Sequence, residues 1–598
     1  MSRPKTTQEL IHWLEVGGGA RWIRLGAVLM MVLVLSLRVA WTQFHGPLTE
    51  TTLLQADMGR QLASGAGFTT LVNFPQTAAL MAAKGQRFDP RRPYPELTQA
   101  PLYALVVAGG LRVLPAGVRE SLFATLPVDG FRADYFLLGL NLGLFWLAVW
   151  LTFYAGRRIF SPRVGWLAAL ALLVSVSSWQ QVVAVNGVPL MMVLALLAFL
   201  VWHKVECGIG DDHGAAVRPA WLAALGALCG LLFLAEYSAG VLVLVSIGYA
   251  LWRFRQGGRL LAVGAIAGAF ALLVAPWIVR NARLTGNPVA LAAQNIAFKA
   301  GDPTAEPAVF RDRLSADAPK IDLNKLGNKA LTSLQDNVKS RLWAGGGLFL
   351  TAFFVAGWLY TFRTPSAERM RWLFTATLAA LVTAQAFLNS GETERLPVFW
   401  LSPLIIIFGS GFFFVLLDAS PNLAGWPRLA AAILILAQGV PLGRDALQPP
   451  PPIHFNYPPY YPWLLLRLRM SLEQLGAMER FGVMADIPAG AAWYGRQRVW
   501  AQPTRLKDFY GITVDQPMAY LILTPRTLDR PFFSELAVRG PLPGSFGEVT
   551  ERFGEWGQIY SAFLTGRIPP EFPLTSLQKI MENFYVLSNP TLPPARGK

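Results

Sequence analysis

The chain has 598 residues, of which 53% are hydrophobic and only 15% are charged, and its mean hydropathy is +0.39. This composition is typical of a polytopic membrane protein and excludes an ordinary soluble enzyme. The net charge of +16 comes from Lys and Arg in short loops between apolar runs, where they set membrane orientation, so it does not indicate a nucleic-acid partner. The two cysteines, Cys207 and Cys229, suggest neither a disulfide framework nor a Cys/His metal cluster.

Apolar runs that could cross a hydrocarbon core of about 30 Å, which takes about 20 helical residues, recur along the chain. Residues 101–114 are also apolar, but at about 1.5 Å per residue they reach only about two-thirds of the way across. Arg112 lies near their end, so we predict an interfacial or re-entrant helix there. About eleven spans are predicted, near 25–44, 134–155, 164–183, 188–203, 220–235, 238–254, 259–279, 344–361, 371–388, 396–417 and 427–443.

The basic residues predict the orientation of these spans. Arg21 and Arg24 precede the first span and place the N-terminus in the cytoplasm. If 101–114 does not cross, the later basic loops all fall on the cytoplasmic side, as the positive-inside rule requires. We therefore expect a multi-pass protein of the inner or plasma membrane with its C-terminus outside. The external segments would be 45–133, 280–343, 389–395 and the tail from 444.

The tail changes character after the last span. We predict a transmembrane domain over 1–444, a Pro-rich linker and connecting helix over 445–482, and an extracytoplasmic α/β domain over 483–598. Strands are predicted at 483–487, 498–501 and 518–524, alternating with helices around 504–510 and 532–538, and the prolines at 449–452 predict a stiff spacer. The predicted fold class is a polytopic α-helical membrane protein that carries this α/β domain.

Two carboxylates follow the first span on a predicted helix over 50–63, for which Thr49 is a suitable N-cap. Glu50 and Asp57 are seven residues apart, so they share one helix face about two turns apart. At a membrane surface such a carboxylate can accept a proton. Two structural alternatives stay open, because Glu50 can simply complement the helix dipole and Asp57 can pair with Arg60 at i,i+3.

Four elements, in order over residues 25–417, resemble those of GT-C superfamily glycosyltransferases. Gly-Arg-Gln-Leu-Ala-Ser-Gly-Ala-Gly-Phe at 59–68 is similar to the end of their first external loop, which puts Glu50 at the family's acidic position. Thr-Gln-Ala-Pro-Leu-Tyr at 98–103 is similar to a Pro-Pro-Leu-Tyr motif, with Ala100 in place of one proline.

The other two elements lie at span ends. Pro-Trp-Ile-Val-Arg-Asn at 276–281, followed by Gly-Asn-Pro at 286–288, resembles an element that closes the family's seventh span, and Glu-Arg-Leu-Pro at 394–397 resembles one that opens a late span. The likeness is greatest to the branch that contains aminoarabinose transferases and protein O-mannosyltransferases.

The resemblance implies an inverting transferase that uses a polyprenyl-phosphate-linked sugar. Glu50 would be the base that accepts the proton of the acceptor hydroxyl, with Asp57 in reserve. Arg395 and Arg280 would stabilise the leaving phosphate, with Lys299 as a further candidate. For each arginine, anchoring at the membrane interface remains the structural alternative.

Further candidates follow from the same elements. Tyr103 and Arg60 belong to the matching motifs, Glu96 precedes one of them, and Glu236 lies between two spans on the external side. Many relatives carry an acid where this chain has Asn186, so a metal site with two carboxylates is not expected here. We therefore assign no metal ligands, although a divalent cation stays open as a cofactor.

Two other classes of function fit the composition. A transporter or flippase of lipid-linked material would use charged residues within spans and internal repeats, and no repeat is evident. A non-catalytic relative that binds lipid-linked sugar fits the loss of an acid at Asn186. The expected partners are a polyprenyl-phosphate-linked sugar, membrane lipids and a cell-envelope glycan, lipid or protein as acceptor.

Overall fold

The computed structural model describes residues 18–47, 49–86, 89, 92–124, 131–209, 218–254, 256–300, 313–388, 395–420, 425–448, 460–478, 480–524, 556, 572–581 and 584–592. The predicted spacer at 449–452, the predicted helix at 532–538 and Glu394 lie outside these residues.

The first half of the chain is mostly helical. Its elements are α1 (Gly18–Gln43), α2 (Glu50–Ala63), β1 (Thr69–Thr70), β2 (Val72–Asn73), α3 (Pro75–Ala83), β3 (Tyr94–Pro95), α4 (Leu102–Val113), α5 (Ala116–Ala124), α6 (Arg132–Ile159), α7 (Pro162–Leu173), α8 (Val176–Val183), α9 (Val188–Ile209), α10 (Pro219–Ala235), the 3₁₀ turn Tyr237–Gly240, α11 (Val241–Arg253), α12 (Gln256–Thr285) and the 3₁₀ segment Ala290–Ala297.

The second half completes the bundle and adds an α/β unit. Its elements are α13 (Leu323–Asp336), the π turn Asn337–Arg341, α14 (Leu342–Gly346), α15 (Leu348–Ala356), the 3₁₀ turn Gly357–Leu359, α16 (Pro365–Leu388), α17 (Pro397–Trp400), α18 (Ser402–Ala419), α19 (Pro427–Leu447), α20 (Pro462–Gln474), β4 (Gly482–Ala485), α21 (Pro488–Gly495), β5 (Val499–Ala501), α22 (Leu506–Asp515), β6 (Met518–Leu523), β7 (Ser576–Met581) and β8 (Phe584–Ser588).

Each of the predicted spans coincides with a helix or with a bent pair of helices. In the described part of the chain, seven helices are long and apolar enough to cross a membrane. The predicted span 164–183 falls on the bent pair of α7 and α8, at 53°, and the predicted spans 220–235 and 238–254 fall on the short apolar helices Pro219–Ala235 and Tyr237–Arg253. The predicted span 344–361 falls on the pair Leu323–Gly346 and Leu348–Leu359, which meet at 112° and do not form a straight span. The chain is a multi-pass membrane protein.

The apolar segment after the first loop does not form a straight span. Helices α4 and α5 meet at 115°, and each is too short to cross a hydrocarbon core of about 30 Å. Val113, at the bend, is 85% exposed, and Val118 is 47% exposed. This helix pair, which we call the hairpin α4–α5, has the geometry of the interfacial or re-entrant element that the charge pattern predicts.

Small residues let the helices of the bundle approach closely. A Cβ atom added at Gly226 on α10 would overlap the backbone carbonyl of Ile266 on α12. Close contact through small residues is the usual way in which helices associate in lipid, where burial of apolar surface gives little driving force. Gly347, with φ of +72°, permits the sharp bend between α14 and α15, because this backbone region favours glycine.

The α/β unit is a sheet of six strands in the order β2-β5-β4-β6-β8-β7 among the described residues. Strands β2, β5, β4 and β6 are parallel, and β8 and β7 are antiparallel additions. The three strands predicted from sequence are present as β4, β5 and β6. The edge strand β2, however, comes from the loop that follows the first span, so this loop and the tail build one sheet.

The bundle and the sheet share a continuous core. One cluster of buried apolar side chains includes Leu53 of the loop, Phe145 and Trp400 of the bundle, and Val483 and Trp493 of the tail. A second cluster covers the other face of the sheet and includes Met484, Trp500 and Leu521. The tail is therefore packed onto the bundle by apolar contact.

Candidate functional site

Helix α2 forms where the local signals predict it, and it begins and ends at the predicted residues, Glu50 and Ala63. The Thr49 side chain accepts a hydrogen bond from the backbone N–H of Thr52 at 3.3 Å, as an N-cap does. Gly65 and Gly67, with φ of +88° and +78°, end the helix in a conformation that favours glycine. The carboxylates are thus fixed on a rigid element beside the bundle.

The Glu50 carboxylate caps the N-terminus of a different helix, α21 of the tail. It accepts hydrogen bonds from the backbone N–H groups of Ala489 at 2.7 Å and Gly490 at 3.3 Å. An anion at this position satisfies two of the unpaired N–H groups of the first turn and complements the helix dipole. Glu50 is half-buried, so it retains access to solvent while it joins α2 to α21.

Asp57 is fully buried and pairs with Arg60, which confirms the predicted i,i+3 ion pair. Its second oxygen accepts hydrogen bonds from the Thr70 hydroxyl at 2.9 Å and from the backbone N–H of Leu71 at 2.7 Å. The carboxylate therefore ties α2 to the strands that follow it. These three donors, together with its burial, leave the carboxylate without access to an acceptor substrate.

Arg60 extends this contact to the C-terminus of α21. It donates hydrogen bonds to the carbonyl oxygens of Trp493 at 2.9 Å and Ala492 at 3.0 Å, and its guanidinium lies 5.1 Å from the centroid of the Trp493 ring system. A cation is favourable at the C-terminal end of a helix, as an anion is at the other end. Helix α2 thus holds both ends of α21 with charges that complement its dipole, Glu50 at the N-terminal end and Arg60 at the C-terminal end. We call this arrangement the α2–α21 clamp.

The side chains of α21 are buried against the start of α6. The Trp493 indole N–H and the Tyr494 hydroxyl each donate a hydrogen bond of 2.9 Å to an oxygen of Asp134. Both aromatic side chains are at most 1% exposed, so they serve packing and docking and do not form a sugar-stacking surface.

Arg395 lies at the start of a late span, as predicted, and is directed onto α2. It donates a hydrogen bond of 2.6 Å to the side-chain oxygen of Gln55, which is fully buried. Tyr103 interacts electrostatically with Arg395 and donates hydrogen bonds to the Val185 carbonyl at 2.9 Å and to the Asn141 side-chain oxygen at 3.3 Å.

The polar contacts continue into the bundle. The Asn141 amide donates to the Asn186 carbonyl at 3.0 Å, and the Asn186 amide donates to the Gln181 side chain at 2.7 Å. Asn186 also accepts from the backbone N–H of Val188, so it caps α9. We call Gln55, Tyr103, Asn141, Gln181, Asn186 and Arg395 the buried polar cluster.

Sequence reasoning missed three members of this cluster, Gln55, Asn141 and Gln181. Asn141 is the lone polar side chain in the apolar run from Phe136 to Trp150, and a polar residue inside a span is costly unless it has partners. The presence of a single polar residue in an apolar span could therefore have indicated Asn141. Gln55 carries no comparable signal, because the outer helix α2 holds several polar residues.

Arg280 lies at the end of α12 and binds the backbone of the first loop. It donates hydrogen bonds to the Phe68 carbonyl at 3.0 Å and to the Glu96 carbonyl at 3.2 Å. Its guanidinium also lies 4.5 Å from the centroid of the Trp277 ring system, a favourable cation–π geometry. Both predicted arginines therefore contact the loop that carries the carboxylates, although neither bonds to Glu50 within the described residues.

Glu96 is fully buried beside this arginine. Its Oε1 accepts hydrogen bonds from the backbone N–H groups of Thr98 at 2.7 Å and Gln99 at 3.1 Å. Its Oε2 is buried and has no hydrogen-bond donor among the described residues. Glu96 thus shapes the turn that leads into the hairpin α4–α5, and it keeps one oxygen available.

The two remaining candidates lie apart from these groups. Lys299 is exposed, with its ammonium 5.2 Å from the centroid of the Phe298 ring. Glu236 occupies the break between α10 and the 3₁₀ turn Tyr237–Gly240. No three His, Cys, Asp or Glu side chains come together as a metal site in the part of the chain that the structure describes.

The arrangement of a membrane bundle, an interfacial hairpin and an α/β unit built partly from the first loop is similar to that of solved oligosaccharyltransferase structures. In particular, the structure is similar to the Archaeoglobus fulgidus oligosaccharyltransferase in its apo form, with a TM-score of 0.51 and 11% identity over 84% of this chain and 70% of that chain. It is also similar to AglB from that organism in complex with an inhibitory peptide and a dolichol-phosphate, with a TM-score of 0.50 and 12% identity over the same shares.

A third solved structure, ArnT from Cupriavidus metallidurans bound to undecaprenyl phosphate, aligns with 95% of this chain and 98% of that chain, with a TM-score of 0.47 and 14% identity. No protein-family model and no curated protein matches the sequence. At these identities the likeness establishes the fold.

Proposed function

We propose that this protein is an inverting glycosyltransferase that moves a sugar from a polyprenyl-phosphate donor to an acceptor hydroxyl at the outer face of the cell membrane. The observation that carries the proposal is the contact of Arg395 with Gln55. Through this contact the Arg395 guanidinium lies where the bundle meets the first loop, which carries Glu50 and Asp57. A guanidinium suits a phosphate leaving group because its fork of donors matches the phosphate oxygens. The fold likeness to a protein with bound dolichol-phosphate supports this assignment.

In the proposed reaction the acceptor oxygen attacks the anomeric carbon as the bond from that carbon to the phosphate oxygen breaks. The phosphate leaves with the electron pair of that bond, and Arg395, supported by Arg280, stabilises the charge. The acceptor proton passes to Glu50, because Glu50 is half-buried whereas Asp57 and Glu96 are fully buried. The acceptor would be a glycan, lipid or protein of the cell envelope.

The test must separate proton transfer by Glu50 from its role in the α2–α21 clamp. Glu50→Gln removes the base and weakens the clamp, whereas Ala489→Pro removes only the N–H donor of the shorter clamp hydrogen bond and keeps the carboxylate. Proline is tolerated at the start of a helix, but Ala489 is buried and follows Pro488, so the melting temperature shows whether Ala489→Pro packs as wild type does. Both variants are compared for melting temperature and for single-turnover transfer from a polyprenyl-phosphate sugar.

We expect Glu50→Gln to lower the transfer rate at least 100-fold, the usual contribution of a general base, while Ala489→Pro retains most of it. Equal loss in both variants would show that the clamp matters and that Glu50 is not the base. In that case Glu96→Gln is the next variant, because Glu96 keeps a free oxygen among the described residues.

A protein that binds lipid-linked sugar without transferring it is the second candidate. The observation in its favour is that Asn186, at the place where many relatives carry an acid, is a fully buried helix cap. Saturable binding of the donor lipid by the wild-type protein, with no transfer to any envelope fraction, would favour this function.

A further inference from the structure

The first loop, the hairpin α4–α5 and the tail enclose a second cavity, separate from the buried polar cluster. It has a volume of about 320 Å³, and its lining includes Arg60, Arg119, Glu120 and Arg496. Arg60 lies five residues after Gln55, which is about 140° further around α2. The cavity therefore opens on a different face of the helix from the one that Arg395 contacts.

Three arginines from three separate elements line this cavity. Arg60 comes from α2, Arg119 from α5 and Arg496 from the residue that follows α21. The Asp57 carboxylate is fully buried and already pairs with Arg60, and the one acid that lines the cavity, Glu120, is exposed. The excess of positive charge is therefore open to an anion.

The backbone conformation of Arg496 is unfavourable for an arginine. Arg496 has a φ of 51°, a left-handed conformation at the C-cap of α21, where glycine is strongly preferred. Burial, together with the nearby Arg469 and Arg60, lowers the pKa of Arg496. Arg496 thus occupies a site that disfavours both its backbone conformation and its charge, and it donates one hydrogen bond of 3.2 Å to the carbonyl of Phe123, which also lines the cavity.

The rest of the cavity is apolar and continuous with a surface that suits lipid. Leu71, Leu111 and Phe123 form part of its wall. The hairpin α4–α5 beside it exposes Val113 and Val118, and exposed apolar residues next to a basic cavity match a molecule with both a charged head and acyl chains.

We propose that this cavity binds the phosphate of a membrane lipid headgroup, with Arg119 and Arg496 as its principal ligands and Arg60 as a third. The site is independent of the proposed transfer reaction, and its ligand would be a structural or regulatory lipid in addition to the glycosyl donor. Guanidinium groups bind phosphate through paired, charge-assisted hydrogen bonds, while the apolar wall accommodates the adjoining glycerol and chain carbons.

The test is native mass spectrometry of the full chain, with dioleoyl phosphatidic acid added in increasing amounts. Dioleoylglycerol, which lacks the phosphate, and inorganic phosphate, which lacks the chains, serve as the two comparison ligands. The variants are Arg119→Gln and Arg496→Gly. Arg132→Gln, an exposed arginine at the start of α6 and outside the cavity lining, is the matched control.

We expect each cavity variant to weaken phosphatidic acid binding about tenfold, the usual effect of losing one charge-assisted contact, and the control to bind as wild type does. Arg496→Gly should melt close to wild type, because the relief that glycine gives at this φ offsets the lost hydrogen bond to the Phe123 carbonyl, and a measured melting temperature near that of wild type excludes misfolding as the cause of a loss of binding. Equal binding of dioleoylglycerol, or unchanged binding in both variants, would overturn the proposal. Displacement of phosphatidic acid by inorganic phosphate at similar concentration would assign the cavity to free phosphate and overturn the lipid assignment.

Discussion

The α2–α21 clamp depends on a glycine that allows close approach, and replacing it should weaken the attachment of the tail. A Cβ atom added at Gly490 would lie 2.5 Å from Cδ1 and 2.6 Å from Cε1 of the Tyr460 ring, and 3.5 Å from a Glu50 oxygen. Tyr460 is fully buried, so its ring has little room to move. Overpacking of this kind costs about 1–3 kcal/mol, and the better helix propensity of alanine offsets at most about 1 kcal/mol.

We therefore expect Gly490→Ala to destabilise the protein by about 1–2 kcal/mol, measured as a lower melting temperature of the purified chain in detergent. Gly443→Ala is the matched control, because Gly443 is also helical and a Cβ atom there meets nothing within 4 Å. Adding Tyr460→Leu should relieve the clash, so the double variant should be more stable than the sum of the single effects predicts. A Gly490→Ala protein that melts with wild type, or no relief in the double variant, would refute the packing argument.

Three other substitutions test the remaining contacts. Asp57→Asn should cost about 3–5 kcal/mol, because it leaves Arg60 without its buried partner, whereas the exposed Asp317→Asn should leave the melting temperature unchanged; equal melting of the two variants would contradict this. Tyr103→Phe should cost about 1–3 kcal/mol by leaving the Val185 carbonyl without its donor, and a neutral effect in thermal unfolding would refute it. Arg395→Gln should weaken binding of a polyprenyl phosphate at least tenfold in a titration, by loss of a charge-assisted contact, and unchanged affinity would remove Arg395 from the proposed site.

The features that depend on local sequence were predictable. Helix α2 was predicted at its observed bounds, because its cap at Thr49 and the glycines after it act within a few residues. The spanning segments followed from the apolar composition of short windows, and the Asp57–Arg60 pair from the spacing of adjacent helix turns. These signals do not require knowledge of any distant part of the chain.

The features that depend on distant partners were not predictable. Strand β2 has only two residues, too few to show an alternating pattern, and it forms only because β5 lies beside it. Likewise, neither the sequence of α2 nor that of α21 by itself indicates that Glu50 caps α21. The likeness to GT-C elements placed Arg395 and Arg280 at span ends, where they lie, but not their partners Gln55, Phe68 and Glu96. Their roles in phosphate binding stay predictions.

The sheet that joins the first loop to the tail has a consequence for biogenesis. Arg60 and its partner Ala492 are 432 residues apart in the chain, so at about 5–20 residues per second the loop waits on the order of a minute for its partners to be synthesised. Through that interval β2 is an unpaired edge, and the Arg60 guanidinium lacks its contacts to α21. Ribosomes that terminate early would therefore release chains with an inserted bundle and an incomplete surface, which quality-control proteases can recognise.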